Sequence, residues 1–246
     1  MYREWQSQVG GAVVWTHDGA PAGEGRVLPD GCMDLLLWDG ALVIAGPDTR
    51  AHLVPRQAGA RMTGLRFPPG TGPLVFGVPA QELRDQRVPL GAVWPQPTVR
   101  VLEERFAGAP EPGRALESLA AERLGDGPAE ELLTAAVAEL LGRGRGVAEV
   151  ARVVSLSERQ LHRRCLDAFG YGPKTLTRVL RMQKAIGLAR RGSALARAAL
   201  EAGYSDQAHL SREVRALAGV PMTELVPQER GAKRSTPLPS GSPTTA

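Results

Sequence analysis

The sequence predicts an α+β chain: a β-rich N-terminal domain, cupin-like or a small barrel, followed by an all-α domain built from two helix-turn-helix units. Three observations carry this. More than half of the 20 prolines precede residue 98, and each fixes φ and removes a backbone donor, which argues against long helices there. From Thr98 onward, apolar residues recur at helical spacing. One pattern also occurs twice in the C-terminal third, at 147–176 and 195–225.

In the N-terminal domain, expected over 1–97, VVW at 13–15 and RVLPDGCMDLLLW at 26–38 read as extended segments. Asp39-Gly40 then separates LLLW from ALVIAG, a two-residue signal for a type I′ hairpin. MTGLRF at 62–67 is a further strand, stopped by Pro68-Pro69-Gly70. Pro79 is suited to open a short helix over AQELRD. Residues 98–127 hold two amphipathic segments, VRVLEERFAG and ALESLAAERL, separated by PEPG at 110–113; they are expected to form a helical connector or a dimerisation element. Helices are expected throughout 128–226. The stretch 227–246, rich in Ser, Thr, Pro and Gly, is expected to be a disordered tail.

Charge divides the chain in the same way. Residues 1–143 hold 13 Arg and no Lys against 18 acids, a net −5; residues 144–226 hold 14 bases against 7 acids, a net +7; the last 20 residues add +2. A basic C-terminal part fits a polyanionic partner. Arg supplies 27 of the 30 bases, a bias that a GC-rich genome explains without function.

The repeat carries the functional argument. When the two copies are aligned, Ala151 falls on Ala199, Leu161 on Leu210, Arg163 on Arg212 and Gly170 on Gly219, with one extra residue in the second turn. Each copy reads as a short amphipathic helix, a turn marked by Ser155 or Gly203, and a capped second helix. Ser157 with Gln160 makes a capping box, Asp206 caps the second copy, and Gly170 and Gly219 stand where helices stop. Leu161 with Cys165, and Leu210 with Val214, lie one turn apart and face the first helix. Arg159, His162 and Arg163 in one copy, and Gln207, Ala208, Ser211 and Arg212 in the other, point away. Such a helix fits the major groove of B-DNA, where Arg can grip guanine and Gln adenine by two hydrogen bonds each. KTLTRVLRMQKAIGLAR, at 174–190, reads as one rigid helix between the units, with Leu176, Val179, Leu180, Met182 and Ile186 on its apolar face. Its Arg178, Arg181 and Lys184 either approach phosphate or pair internally.

Three runs in this region, ARVVSLSERQLHRR at 151–164, FGYGP at 169–173 and AGYSDQAHLSR at 202–212, resemble the AraC/XylS family of transcriptional regulators. The resemblance spans about Pro128 to Leu225 and implies a seven-helical domain that binds double-stranded promoter DNA. An activator of this kind would also meet RNA polymerase. Three positions depart from the family pattern: Ser155 stands for the usual glycine of the first turn, Cys165 for a common aromatic, and Pro221 comes one residue early, leaving Met222 at the proline position. PDGCMDL at 29–35, GLRFPPG at 64–70 and GVPAQEL at 77–83 resemble the β-rich, sensor-like half of one group of these regulators. A small-molecule effector or homodimerisation is the role expected of that half.

Cys32 between Asp30 and Asp34, with His17 and His52 elsewhere, invites a metal or thiol sensor, but the spacing matches no zinc pattern. The N-terminal half contains no phosphate-binding glycine loop, nucleophile elbow or paired-histidine metal motif, so an enzyme is not expected, nor a cofactor. A non-specific architectural DNA protein fits poorly with capped recognition helices bearing mixed polar tips. Trp15, Trp38 and Trp94 suit either a ligand pocket or the core. Two cysteines make no disulfide framework, no run of 18 apolar residues suggests a membrane span, and MYREWQSQVGG lacks an apolar leader core. A cytoplasmic location is therefore expected.

Overall fold

The computed structural model describes residues 2–18, 23–56, 61–125 and 129–226; the tail expected over 227–246 lies outside them. Among the described residues, seven strands open the chain, β1 (Tyr2–Gln6), β2 (Val13–Asp18), β3 (Gly23–Val27), β4 (Met33–Trp38), β5 (Ala41–Ala45), β6 (His52–Arg56) and β7 (Arg61–Phe67), and an eighth, β8 (Arg87–Pro89), follows the first short helix. Six form an antiparallel sheet in the order β1-β2-β7-β4-β5-β8, and β3 pairs with β6 in a second, two-stranded sheet. The β4–β5 connection is the Asp39-Gly40 turn, with both residues at positive φ (48° and 84°), as a type I′ turn requires.

Side-chain alternation sorts the large sheet into two faces. Val14, Met33, Leu35, Leu42, Ile44, Leu65 and Phe67 point to one side and form the main core. Trp15, Leu36 and Ala45 point to the other, with Val43 and Met62 packed on them. The first face is covered by helices: α1 (Gly72–Phe76), α2 (Gln96–Ala107) and α3 (Pro112–Leu124). Val99, Phe106, Leu116, Leu119 and Ala120 from α2 and α3 lie in the same core as the strands. The segment expected as a connector packs its apolar stripes on the sheet. Trp94 packs against this core and donates to the Phe76 carbonyl at 2.8 Å. Between α1 and β8 runs a 3-10 helix, Ala80–Leu83, opened by Pro79.

Among the described residues seven further helices follow: α4 (Ala129–Gly142), α5 (Val147–Val153), α6 (Glu158–Phe169), α7 (Pro173–Arg190), α8 (Leu195–Glu201), α9 (Gln207–Ala218) and α10 (Met222–Leu225). They enclose two separate cores. Val137, Leu141, Val150, Leu161, Cys165, Phe169, Leu176 and Val179 make one; Met182, Ile186, Ala199, Tyr204, Leu210, Val214, Leu217 and Met222 make the other. The long α7 serves both, Leu176 and Val179 in the first and Met182 to Ala189 in the second. Among the described residues no helix is long and apolar enough to cross a membrane.

Candidate nucleic-acid interface

The two helix-turn-helix units are built by matching local chemistry. In the first turn, the Ser155 N–H donates to Arg152 O at 3.2 Å and the Leu156 N–H to Ala151 O at 2.8 Å. In the second, the Gly203 N–H donates to Leu200 O at 3.0 Å and the Tyr204 N–H to Ala199 O at 2.9 Å. Both turns place one residue in the left-handed region, Gly203 at φ 86° and Ser155 at φ 56°, so the serine carries strain that the glycine avoids.

Each recognition helix then starts from a satisfied cap. Ser157 Oγ accepts from the Gln160 N–H (3.2 Å), while the Ser157 N–H donates to Gln160 Oε1 (2.8 Å). The Asp206 carboxylate accepts from the His209 N–H at 2.7 Å. That bond holds its carboxyl below the usual range. Both helices end on left-handed glycines, Gly170 (φ 78°) and Gly219 (φ 74°), the conformation that satisfies the last carbonyls.

The sequence-predicted site residues fall on these helices as two exposed sets. Arg159, His162 and Arg163 project from α6, and Gln207, Ala208, Ser211 and Arg212 from α9, all solvent-exposed, while Leu161, Cys165, Leu210 and Val214 are buried behind them. Some of these side chains also have partners within the fold. Ser211 Oγ donates to the Gln207 carbonyl at 2.8 Å. The His162 ring lies against Gly172, where an added Cβ would sit 2.5 Å from Cε1. His209 is half-buried, its Nδ1 3.2 Å from Ser205 Oγ and its ring edge-on to Tyr204. On α7, Arg178 pairs with Glu213 of α9 at 2.7 Å. Arg181 donates to the carbonyls of Ala202 and Gly203 and lies 4.2 Å over the Tyr204 ring. Both arginines therefore pair internally, whereas Lys184 is exposed.

Between α1, α4 and α6 lies an open pocket of about 300 Å³ lined by Leu74, Leu133, Val137 and Cys165 and also by Arg163 and Asp167. Burial pushes the Cys165 thiol up to about 12, so it stays protonated and packs as a small apolar group. In the N-terminal sheet, Asp30 and Asp34 flank an arginine: Arg66 Nε lies 3.7 and 3.4 Å from their carboxylates. Trp15 Nε1 donates to Asp34 at 2.7 Å, and the Cys32 N–H donates to Asp30 at 2.9 Å. Burial pushes the Asp34 carboxyl up against the pull of Arg66. Burial, with Asp30 and Asp34, pushes the Cys32 thiol well up, the opposite of what a reactive thiolate needs.

Sequence reasoning missed the residues at the far ends of the recognition helices. Arg84 donates to Gly170 O (3.2 Å) and Arg26 to Ala218 O (2.9 Å). Only the two stop glycines marked these carbonyls in advance; nothing local to either arginine did.

Two capped helices, each exposing a polar tip and packed in its own core on a shared long helix, define a double helix-turn-helix protein. Residues 150–227 match a family described as a helix-turn-helix domain, a match that supports a DNA-binding transcriptional regulator. Residues 12–89 match a domain family of unknown function, DUF6597. Among solved structures, the chain is similar to an AraC-type transcriptional regulator from Chromobacterium violaceum at 21% identity (TM-score 0.38), over 41% of this chain and 96% of that one. It is similar to the C-terminal domain of AraT, a response regulator from Geobacillus stearothermophilus, at 19% identity (TM-score 0.37), over 46% and 94%. ToxT from Vibrio cholerae aligns over 90% of this chain and 99% of its own, at 9% identity and TM-score 0.48. Among curated proteins none matches at a significant level.

Proposed function

We propose that this regulator reads two unlike major-groove segments, about one helical turn apart, with one chain. The observation that carries the reading is the pair of exposed tips: Arg159, His162 and Arg163 on α6 differ from Gln207, Ala208, Ser211 and Arg212 on α9, so a single chain has no reason to prefer a palindrome. The 18-residue α7 is about 27 Å long at 1.5 Å per residue, of the order of the ~34 Å between successive major-groove faces. The mixed polar tips favour base readout over sequence-independent architecture. The N-terminal domain senses a small molecule or self-associates.

Binding selection from a random library with wild type, Arg163→Ala and Arg212→Ala tests the reading. If each arginine forks onto a guanine, its removal costs about 1–3 kcal/mol and relaxes preference in its own segment. Identical preferred sequences for all three proteins, with only affinity changed, would remove both residues from base readout.

A further inference from the structure

The two apolar cores of the helical domain are separate, so a lone α7 would leave the second unit some freedom to swing against the first. The N-terminal domain grips both. Each recognition helix ends with carbonyls that have no partner of their own along the helix and with the negative end of its dipole. Arg84, just after the 3-10 helix, donates from Nη1 to Gly170 O at 3.2 Å; Arg26, on β3, donates from Nη1 to Ala218 O at 2.9 Å. In the repeat alignment Gly170 corresponds to Gly219, the neighbour of Ala218. Two arginines from separate places in the N-terminal domain therefore cap equivalent ends of the two recognition helices.

Further contacts make each grip directional. At α6, Gln81 Nε2 donates to Asp167 at 3.0 Å. Gly170 packs so tightly that a Cβ there would lie 2.6 Å from Pro47 and 3.2 Å from the Ala80 carbonyl. At α9, the Ala51 N–H donates to Leu217 O at 2.7 Å, and Leu28 packs onto the second core. Between them, Gln183 of α7 donates to Pro29 O at 2.6 Å.

We infer that Arg26 and Arg84 are positioning residues that fix the separation and relative turn of α6 and α9, so that the N-terminal domain sets the half-site spacing the protein accepts. The inference rests on the two-segment reading above. Any effector or partner that displaces β3 or the 3-10 helix would act on spacing tolerance, without touching a base-reading side chain.

The test uses the full chain and its selected site, with the spacer between segments changed by one or two base pairs. Each base pair shifts the second segment by about 3.4 Å and turns it by about 35°. Wild type is expected to lose about tenfold in affinity at one base pair off register, and Arg26→Ala/Arg84→Ala about threefold or less, a difference at the low end of one net hydrogen bond. Arg26→Lys/Arg84→Lys, which keeps a cation at each helix end, is expected to recover most of the discrimination. A double alanine variant with the wild-type spacing profile would overturn the inference. A wild type with no preferred sequence would instead overturn the two-segment reading, and the inference with it. A second measurement needs no DNA: spin labels at Glu158→Cys and Ala216→Cys, both exposed positions, report the α6–α9 distance. The distribution is expected to broaden in the double alanine variant; an equally narrow one counts against the inference whatever the operator does.

Discussion

Ser155 offers a test in which the protein supplies its own control. It sits at φ 56° in a turn whose two closing hydrogen bonds, at 3.2 and 2.8 Å, match those of the Gly203 turn at 3.0 and 2.9 Å. A side-chain-bearing residue in this conformation costs about 1–2 kcal/mol, and glycine returns about 0.4–1 kcal/mol of that by loosening the open chain. Ser155→Gly is therefore expected to stabilise the first turn by about 0.5–1 kcal/mol. Gly203→Ser should destabilise the second by a similar amount, since an added Cβ there meets its nearest neighbour, Arg181 Nε, at an ordinary 3.5 Å. Native-state hydrogen exchange reads both locally. The Leu156 amide is expected to exchange about two- to fivefold more slowly in Ser155→Gly, and the Tyr204 amide faster by a similar factor in Gly203→Ser. Faster exchange at Leu156 in Ser155→Gly would refute the reasoning, because it would mean that the serine contributes something that offsets its backbone strain.

Two further outcomes follow from the helix ends. The Asp206 cap, held low by the His209 N–H, is lower in the folded chain than in the unfolded one. Its stabilisation is thus present above the unfolded carboxylate range and is lost as pH falls below about 4; exchange at the His209 amide should accelerate on acidification in wild type and respond less in Asp206→Asn. Gly170→Ala combines left-handed strain with a contact 2.6 Å from Pro47, whereas Gly144→Ala, at φ 83°, meets nothing within 4 Å. The first is expected to cost about 2 kcal/mol or more and the second about 1, compared by urea denaturation; equal costs would show that the packing at Gly170 yields freely.

The helical half was legible because its signals are local. The capping residues Ser157, Gln160 and Asp206, the stop glycines and the buried Leu161 and Leu210 each act within one or two helical turns, and the repeat doubled every signal. The Asp39-Gly40 turn was legible for the same reason. Strands β1, β6 and β8 were not, and β3 was read as one extended segment with β4: Tyr2–Gln6 is exposed along its whole length, His52–Arg56 is interrupted by Pro55 and Arg87–Pro89 is three residues long, so none shows an apolar alternation. The packing of α2 and α3 on the sheet depends on which surface their stripes meet, and a stripe does not name its partner. Arg26 and Arg84 were invisible for a like reason: their partners lie 192 and 86 residues away.

The recognition helices divide their labour along their length. Residues 158–163 and 207–212 expose the tips, whereas Cys165, Phe169, Gly170, Val214, Leu217 and Ala218 are committed to the interior. The outward positions in those stretches, Arg159 and Arg163 on α6 and Gln207, Ala208 and Arg212 on α9, are thus free to vary at little cost to the fold, like the bit of a key cut on an unchanged bow. Grafting foreign side chains onto those outward positions alone, with Gln160, Leu161, His209 and Leu210 kept, should rewrite the operator while leaving any effector response intact, which makes this chain a chassis for new promoter specificities.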